Sequence, residues 1–170
     1  SVCSYDEQIP YLINAYMREF RRIEPFLPQN PKILEIGCGN GFFLEALKKG
    51  GIKDLFGIEP SPKMVSEAPS YLKKRITIDV FKQKQFPNNN FDAVLCFHTL
   101  DHIIDPNKFI KSVQEILKPG GFILFVVHNT DSIFAKLFGE KWPIFDIEHI
   151  FLFNKKTLRF LFTKNQFADI

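Results

Sequence analysis

The chain has 170 residues, of which 45% are apolar and 24% charged, and a formal net charge of +3. This length and composition fit one globular domain over residues 1–170. The basic residues are scattered, which argues against a nucleic-acid-binding face. The three cysteines are far apart and form no zinc-ligand pair, and the longest apolar run is too short to span a bilayer. We therefore expect a cytoplasmic protein without a membrane span.

The apolar spacing predicts strands that alternate with helices. A helix over residues 11–26 precedes a buried strand at Lys32–Ile36. Four further strands are predicted at residues 54–59, 75–80, 91–97 and 122–128. Helices are predicted at residues 42–49, 62–68, 107–117, 132–138 and 155–164, and a sixth strand is predicted to open at residues 167–170. This alternation is typical of an α/β domain with a mostly parallel sheet.

The most informative segment is the turn after the first strand, which carries Gly37, Gly39 and Gly41 at alternate positions. A dinucleotide fingerprint, G-x-G-x-x-G, would place its third glycine at Phe42, where a bulky side chain would obstruct close packing of helix on strand. Glu35 adds a negative charge where a pyrophosphate would be unfavourable. The turn therefore favours an adenosine-type cofactor that carries a positive charge and no phosphate.

An acidic residue, Glu59, ends the second predicted strand eighteen residues after Gly41. In nucleotide-binding α/β folds an acid at this place accepts hydrogen bonds from the ribose hydroxyls. Two carboxylate oxygens can meet two vicinal hydroxyls. The alternative is a solvated acid at a strand end, and the spacing favours the ribose contact.

Residues 35–41 resemble motif I, acidic-x-G-x-G-x-G, of the class I S-adenosylmethionine-dependent methyltransferases. Later stretches resemble the same superfamily in the same order: its F-D-x-V strand opening at residues 91–94, its L-K-P-G-G turn at 117–121, and the L-[DE]-H segment of its small-molecule, ubiquinone-biosynthesis-like branch at 100–102. The resemblance implies a Rossmann-like three-layer sandwich. It also implies methyl transfer to a small-molecule acceptor by in-line displacement at an oxygen, nitrogen or carbon nucleophile.

The resemblance implies where S-adenosylmethionine would bind. Asp79 and Val80 are expected at the adenine, and Phe97 and His98 near the methionine end. Cys38 is expected to contribute backbone rather than thiol chemistry. The full set of expected cofactor contacts is Glu35, Gly37, Cys38, Gly39, Gly41, Glu59, Pro60, Asp79, Val80, Phe97 and His98.

The catalytic residues stay open at this level, because methyl transfer from an activated sulfonium needs mainly alignment of the reactants. A general base would help if the nucleophile must lose a proton. The candidates are His98, Asp101, His102, His128 and His149, each with a structural alternative. His98-x-x-Asp101-His102 is similar to the E-x-x-E-H cluster that holds a divalent ion in some quinone-biosynthesis O-methyltransferases. Because a histidine replaces the first acid of that cluster, no metal is expected.

Two other functions remain open: a methyltransferase-like interaction module that binds the cofactor weakly, and an NAD(P)-dependent oxidoreductase, against which Glu35 and Phe42 argue. The methyltransferase sheet has seven strands, the last two forming an antiparallel hairpin. This chain supplies five strands and the start of a sixth, so we expect an incomplete hairpin and an open edge through which a homodimer could form. We divide the domain into a helical cap (1–30), a cofactor-binding core (31–130) and a substrate-side segment (131–170).

Overall fold

The computed structural model describes residues 5–138 and 149–168. Cys3 and the last two residues of the predicted sixth strand lie outside these ranges. The strands are β1 (Lys32–Ile36), β2 (Asp54–Ile58), β3 (Ile76–Thr77), β4 (Phe91–Phe97) and β5 (Leu117–Val126). The helices are α1 (Tyr5–Phe20), α2 (Phe42–Lys49), α3 (Pro62–Glu67), α4 (Ser70–Lys73), α5 (Pro106–Ile116), α6 (Ile133–Phe138) and α7 (Lys155–Lys164).

The five strands form one sheet in the order β3-β2-β1-β4-β5, and every pairing is parallel. Leu34 in the central strand β1 pairs with Phe56 of β2 and Val94 of β4. The chain runs outward from β1 to β3 and then crosses back to β4, so the strand order reverses between β1 and β4. Ligands of open α/β sheets bind at the carboxyl ends of the strands beside such a reversal.

Two apolar clusters cover the two faces of the sheet, because successive side chains of a strand point to opposite faces. Ile33 packs in the cluster that contains Phe43 of α2 and the buried residues of α1. Its neighbour Leu34 packs in the cluster that contains Val113 of α5 and Leu161 of α7. The predicted α/β fold with three layers is thereby confirmed.

Three helices begin at residues whose side chains cap them. The side chains of Ser61 and Asp105 each accept a hydrogen bond from the backbone N–H three residues further on, at 3.3 Å and 3.0 Å. Asn154 and Thr157 form a reciprocal capping box at the start of α7. Each cap satisfies an N–H group that the helix itself cannot bond.

The bounds of α1 differ from the prediction. The helix begins at Tyr5, runs through Pro10 and ends at Phe20, and a short 3-10 turn follows at Glu24–Phe26. Ile23, which lies between the end of α1 and this 3-10 turn, is buried in the core without a continued helix. Apolar spacing cannot distinguish these two ways of burying a side chain, so the predicted end was wrong.

The third strand is shorter than predicted, with only Ile76 and Thr77 paired to β2. The N–H of Asp79 donates to the carbonyl of Thr77 at 3.1 Å, and this turn takes the chain away from the sheet. The prediction of a strand through residue 80 was therefore wrong.

The predicted L-K-P-G-G turn is a bulge inside β5. Its first residue, Leu117, and the residue after it, Phe122, pair with β4 residues only two apart, so the four residues between them bulge out. Lys118 in the bulge donates to both oxygens of Asp92 at 2.8 Å, and Asp92 also accepts from the N–H of Lys32 at 2.8 Å. These contacts join the amino ends of β1, β4 and β5, at the opposite end of the sheet from the glycine turn.

Beyond β4, strand β5 has no full partner strand among the described residues. A one-residue parallel bridge joins Asn129, just after β5, to Phe153. Phe167 and Ala168 are not in a strand, so the predicted sixth strand is not confirmed. In the part of the chain that the structure describes, no helix is both long and apolar enough to cross a membrane.

Candidate functional site

The glycine turn lies at the carboxyl ends of β1 and β2. Gly37, Gly39 and Gly41 have φ angles of 77°, 55° and 75°, in the left-handed region that side chains disfavour. The N–H groups of Gly37 and Cys38 donate to the carbonyl of Ile58 at 2.8 Å and 3.1 Å. The turn is thus fixed against the end of β2 by backbone contacts.

The loop after β4 packs directly against this turn. The side chain of Thr99 fills the position where a Cβ on Gly37 would lie, and its hydroxyl donates to the carbonyl of Phe97 at 3.0 Å. Gly37 is therefore required both for its backbone angle and for the space that Thr99 occupies. The contact brings the loop that carries His98 beside the glycine turn.

A glycine in β2, which the sequence analysis did not single out, allows α2 to approach the sheet. A Cβ on Gly57 would lie 2.6 Å from the sulfur of Cys38 and 3.1 Å from Leu44 of α2. The third glycine of a dinucleotide fingerprint performs this role from the helix, whereas here the strand provides the space. Phe42 is half-buried, with its ring 6.0 Å from that of Tyr16. The only signal in the sequence was a glycine in the middle of a strand.

Glu59 holds the glycine turn from the end of β2. One of its carboxylate oxygens accepts from the N–H of Gly39 and the other from the N–H of Ser61, both at 2.9 Å. The residue is 9% exposed, and its oxygens keep lone pairs for further donors. The exposed Pro60 follows it and leads into the capped start of α3.

Glu35 lies under the turn and is only 2% exposed. Its Oε2 atom has no hydrogen-bond partner among the described residues. Burial, and secondarily the charge of Glu59, raises the pKa of Glu35 well above its usual range. Burying such a carboxyl without a partner is costly, and a cationic ligand would remove the cost.

The two residues expected at the adenine follow β3 beside Glu59. The N–H groups of Glu59 and Asp79 both donate to the carbonyl of Thr77 at 3.1 Å. The carboxylate of Asp79 forms an ion pair with Lys82 at 2.7 Å, and hydrogen bonding from Lys82 lowers the pKa of Asp79. The side chain of Val80 is 54% exposed. The structure thus brings the glycine turn and Glu59 together and places the backbone of Asp79 beside that of Glu59.

Helix α1 packs on the carboxyl end of β4 through an aromatic stack. The rings of Tyr16 and Phe97 are 4.1 Å apart and inclined by 15°, and Phe43 meets Phe97 edge-on at 5.0 Å. Cys38 is buried nearby, and burial raises the pKa of its thiol, so it is a poor nucleophile. The apolar cover beside the glycine turn is therefore aromatic and closely packed.

All four histidines of the chain lie in one cluster around Asp101. His98 and His128 have ring centroids 4.4 Å apart, His128 and His149 5.3 Å, and His102 and His149 5.0 Å. Burial and the neighbouring His128 lower the pKa of His98 to about 4, so His98 is neutral near pH 7. His98 also has a left-handed φ of 48°, which is uncommon for a residue with a side chain.

Asp101 is the acidic centre of this cluster. It is 2% exposed, and its Oδ2 lies 3.3 Å from Nε2 of His149. The N–H groups of Ile150 and Phe151 donate to the backbone carbonyl of Asp101 at 2.9 Å and 3.1 Å. The sequence named these histidines one by one, but their separation along the chain gave no sign that His128 and His149 meet Asp101.

The comparisons with known proteins agree with this fold. Residues 5–170 match a family described as "Methyltransferase domain". The chain belongs to this methyltransferase domain family. Membership confirms the resemblance drawn from the sequence motifs, and the oxidoreductase alternative is not favoured.

Methyltransferases of this type also appear among the individual relatives. Ubiquinone biosynthesis O-methyltransferase from Histophilus somni (strain 2336) is 32% identical over 108 residues, covering 58% of this chain and 45% of that protein. The human mitochondrial protein of the same name is 28% identical over 138 residues, covering 75% of this chain and 37% of its own length. The chain therefore spans half or less of the length of these two relatives.

A solved methyltransferase has the same fold over nearly the whole chain. The S-adenosylmethionine-dependent methyltransferase from Thermotoga maritima, described as a possible histamine N-methyltransferase, is 26% identical. It aligns with a TM-score of 0.72 and covers 97% of this chain and 76% of the other.

Proposed function

We propose that this domain transfers a methyl group from S-adenosylmethionine to a small-molecule acceptor. The observation that carries the proposal is the buried Glu35, whose Oε2 atom has no hydrogen-bond partner among the described residues, beneath a left-handed glycine turn that Glu59 holds. This arrangement lies beside the strand reversal of a methyltransferase-family fold. Membership of the family supports the activity, and the short coverage of the relatives makes the activity of the whole protein part of the proposal.

The residues present suit a cationic adenosine cofactor. Glu35 would neutralise its positively charged part, and Glu59, with lone pairs to spare, would accept from the ribose hydroxyls. Gly37, Cys38, Gly39, Gly41 and Pro60 would offer backbone, and Phe97 and His98 would flank the methionine end. Asp79 and Val80, which follow β3 beside Glu59, would lie at the adenine.

When bound, S-adenosylmethionine supplies a methyl group already activated by a sulfonium. The chain's residues then have to align the acceptor and exclude water. The stack of Tyr16 on Phe97 closes the carboxyl end of β4 against solvent. If the acceptor must lose a proton, we assign the removal of that proton to the cluster that contains the candidates His98, Asp101, His102 and His149.

A groove of about 570 Å³ beside this cluster suits a small-molecule acceptor. It is lined by Tyr16 of α1, by Val127 and His128 after β5, and by Phe153 and Leu158 near α7. The relatives are named for methyl transfer to oxygen, and the Thermotoga protein for possible transfer to nitrogen. These names support a heteroatom acceptor, and the scattered basic residues support a small molecule rather than a nucleic acid.

The other features predicted from the sequence belong to the same proposal. We propose that two copies associate through the edge of β5, which has no full partner strand among the described residues. The cap, core and substrate-side segment form one domain in this proposal. A cytoplasmic location stays a prediction, supported by the free thiols of Cys38 and Cys96.

Calorimetry with S-adenosylhomocysteine and with NAD tests the cofactor. Binding of S-adenosylhomocysteine alone supports the proposal, and binding of NAD alone contradicts it. Binding of neither would favour the interaction module. Transfer of label from S-adenosylmethionine into a metabolite extract then tests the activity and isolates the acceptor.

A further inference from the structure

The histidine cluster contains an unusually placed carboxylate. Asp101 is buried, and neither of its carboxylate oxygens has a hydrogen bond from the described residues. His149 comes within ion-pair distance without hydrogen-bond geometry, and its Nδ1 atom is also buried without a described partner. A buried carboxylate that accepts no hydrogen bond is costly, and a positive charge beside it would offset that cost.

The fold brings three side chains that could serve as metal ligands together at this place. Asp101 lies in a short helical turn directly after β4, and His128 follows the end of β5. His149 is held by the two N–H groups that its successors Ile150 and Phe151 donate to Asp101. One potential ligand atom from each of the three side chains lies within 4.8 Å of the other two.

This spacing is close to that of a metal's coordination sphere. Bonds of roughly 2.0–2.2 Å place tetrahedral ligand atoms about 3.4 Å apart. Small side-chain rotations of Asp101, His128 and His149 would close the remaining distance without moving their backbones.

We propose that Asp101, His128 and His149 bind one divalent transition-metal ion of the Zn²⁺ type. Two imidazole nitrogens and one carboxylate oxygen suit Zn²⁺ and its first-row neighbours, whereas Mg²⁺ and Ca²⁺ prefer oxygen ligands throughout. Three protein ligands leave a fourth position open, as in catalytic zinc sites.

The set of ligands is not the one that the sequence spacing suggested. His98-x-x-Asp101-His102 shares only Asp101 with the geometric set, and His102 is exposed. His128 and His149 come from the end of β5 and from the segment before α7. The metal site is thus a product of the fold.

The open position has a chemical consequence that rests on the proposed function. His128 also lines the groove assigned to the acceptor. A metal at this position would bind an oxygen or nitrogen of the acceptor and lower the pKa of that group. The binding of the metal itself does not depend on methyl transfer.

Titration calorimetry with ZnCl₂, on chain freed of affinity tag and treated with chelator, tests the site. We expect one Zn²⁺ per chain, with MgCl₂ failing to compete. H128Q and H149Q should each weaken Zn²⁺ binding by more than about 100-fold, since even outer-shell changes cost about 10–100-fold. H102Q removes a histidine from the same cluster without removing a proposed ligand and should leave Zn²⁺ binding intact.

H128Q is the decisive variant, because the ion pair between Asp101 and His149 can form without His128, whereas the proposed metal site requires His128 as a ligand. Absorption of bound Co²⁺ gives a second readout, with d–d bands and no sulfur charge transfer expected. Absence of Zn²⁺ binding, equal binding by H128Q, or a cysteine-to-cobalt band would each overturn the site. Binding of S-adenosylhomocysteine to the same samples checks the variants' folds and tests the proposed function separately.

Discussion

Thr99 occupies the space that a side chain on Gly37 would need. Gly37 directly follows the central strand, and Thr99 follows the neighbouring strand β4, so this contact ties the glycine turn to the loop that carries His98. Any residue larger than glycine at position 37 would have to displace Thr99 or the turn. The close contact therefore couples the proposed cofactor site to the histidine cluster.

Gly37→Ala should destabilise the fold more than Gly120→Ala. Both glycines have nearly the same φ, 77° and 76°, but a Cβ on Gly120 meets nothing within 4 Å. Both variants bear the left-handed strain of roughly 1–2 kcal/mol. Gly37→Ala adds the collision with Thr99, about 1–3 kcal/mol more. Urea unfolding of the two variants measures this difference.

The collision can be separated from other effects of the substitution. Thr99→Ala removes the hydroxyl and methyl groups nearest to the added Cβ, so the double variant should recover part of the loss. Equal losses in Gly37→Ala and Gly120→Ala, or no coupling between positions 37 and 99, would contradict the steric account.

Glu59→Gln should weaken binding of S-adenosylhomocysteine. The side-chain amide would place a donor against the N–H of Gly39 or of Ser61, each of which now donates to a carboxylate oxygen at 2.9 Å. Hydrogen bonds to charged groups contribute about 1.5–3 kcal/mol, and a loss of 1.4 kcal/mol corresponds to tenfold in affinity. We expect a loss of at least about tenfold by calorimetry.

The control for this loss is Glu67→Gln, which removes the same charge from the exposed end of α3. Its affinity should match that of the wild type. If Glu59→Gln also binds as the wild type does, Glu59 is only a strand-end acid and the ribose contact is wrong.

Glu35 should make stability fall as pH rises. Burial and the charge of Glu59 raise its pKa in the folded state, so the folded chain binds a proton that the unfolded chain has released. The fold is then most stable below the ordinary carboxyl pKa and loses stability as pH rises from there through the raised pKa. Glu35→Gln keeps the shape without the charge, so its stability should exceed that of the wild type above this range. Urea unfolding at a series of pH values measures both slopes.

The same group should couple ligand binding to proton release. The sulfonium cation of S-adenosylmethionine favours the ionised form of Glu35, so wild-type affinity for S-adenosylmethionine should increase with pH through the raised pKa. Calorimetry in buffers of different ionisation enthalpy should show a released proton in the wild type and none in Glu35→Gln. If the affinity of the wild type and of Glu35→Gln changed with pH in the same way, the titrating group would be a residue other than Glu35.

The elements that sequence reasoning located to the residue are those whose signals are local. Strands β1 and β4 are unbroken buried segments, and α7 begins at the capping box of Asn154. The end of α1 and the length of β3 were missed, because a turn that buries Ile23 and a backbone bond at Asp79 decide them. Neither contact leaves a periodic signal.

The candidate site likewise has a part that the sequence predicts and a part that it does not. The glycine turn and Glu59 are separated by a spacing that sequence alone can recognise, and their contact through Gly39 follows from the strand order. The meeting of His128 and His149 at Asp101 depends on how β5 and the segment before α7 are arranged in space. The role of Gly57 was missed for a related reason, because only the packed structure shows what lies above a strand glycine.

Tyr16→Ala should detach α1 from the site. The ring of Tyr16 stacks on Phe97 at 4.1 Å and is buried, and truncation of a buried aromatic side chain costs about 3–5 kcal/mol. Tyr11→Ala, on the same helix but 76% exposed, should change stability by less than about 0.5 kcal/mol. Tyr16→Phe keeps the stacked ring and should retain most of the stability. Urea unfolding measures the stability of the three variants. If Tyr11→Ala lost as much stability as Tyr16→Ala, helix propensity and not the stack on Phe97 would explain the result.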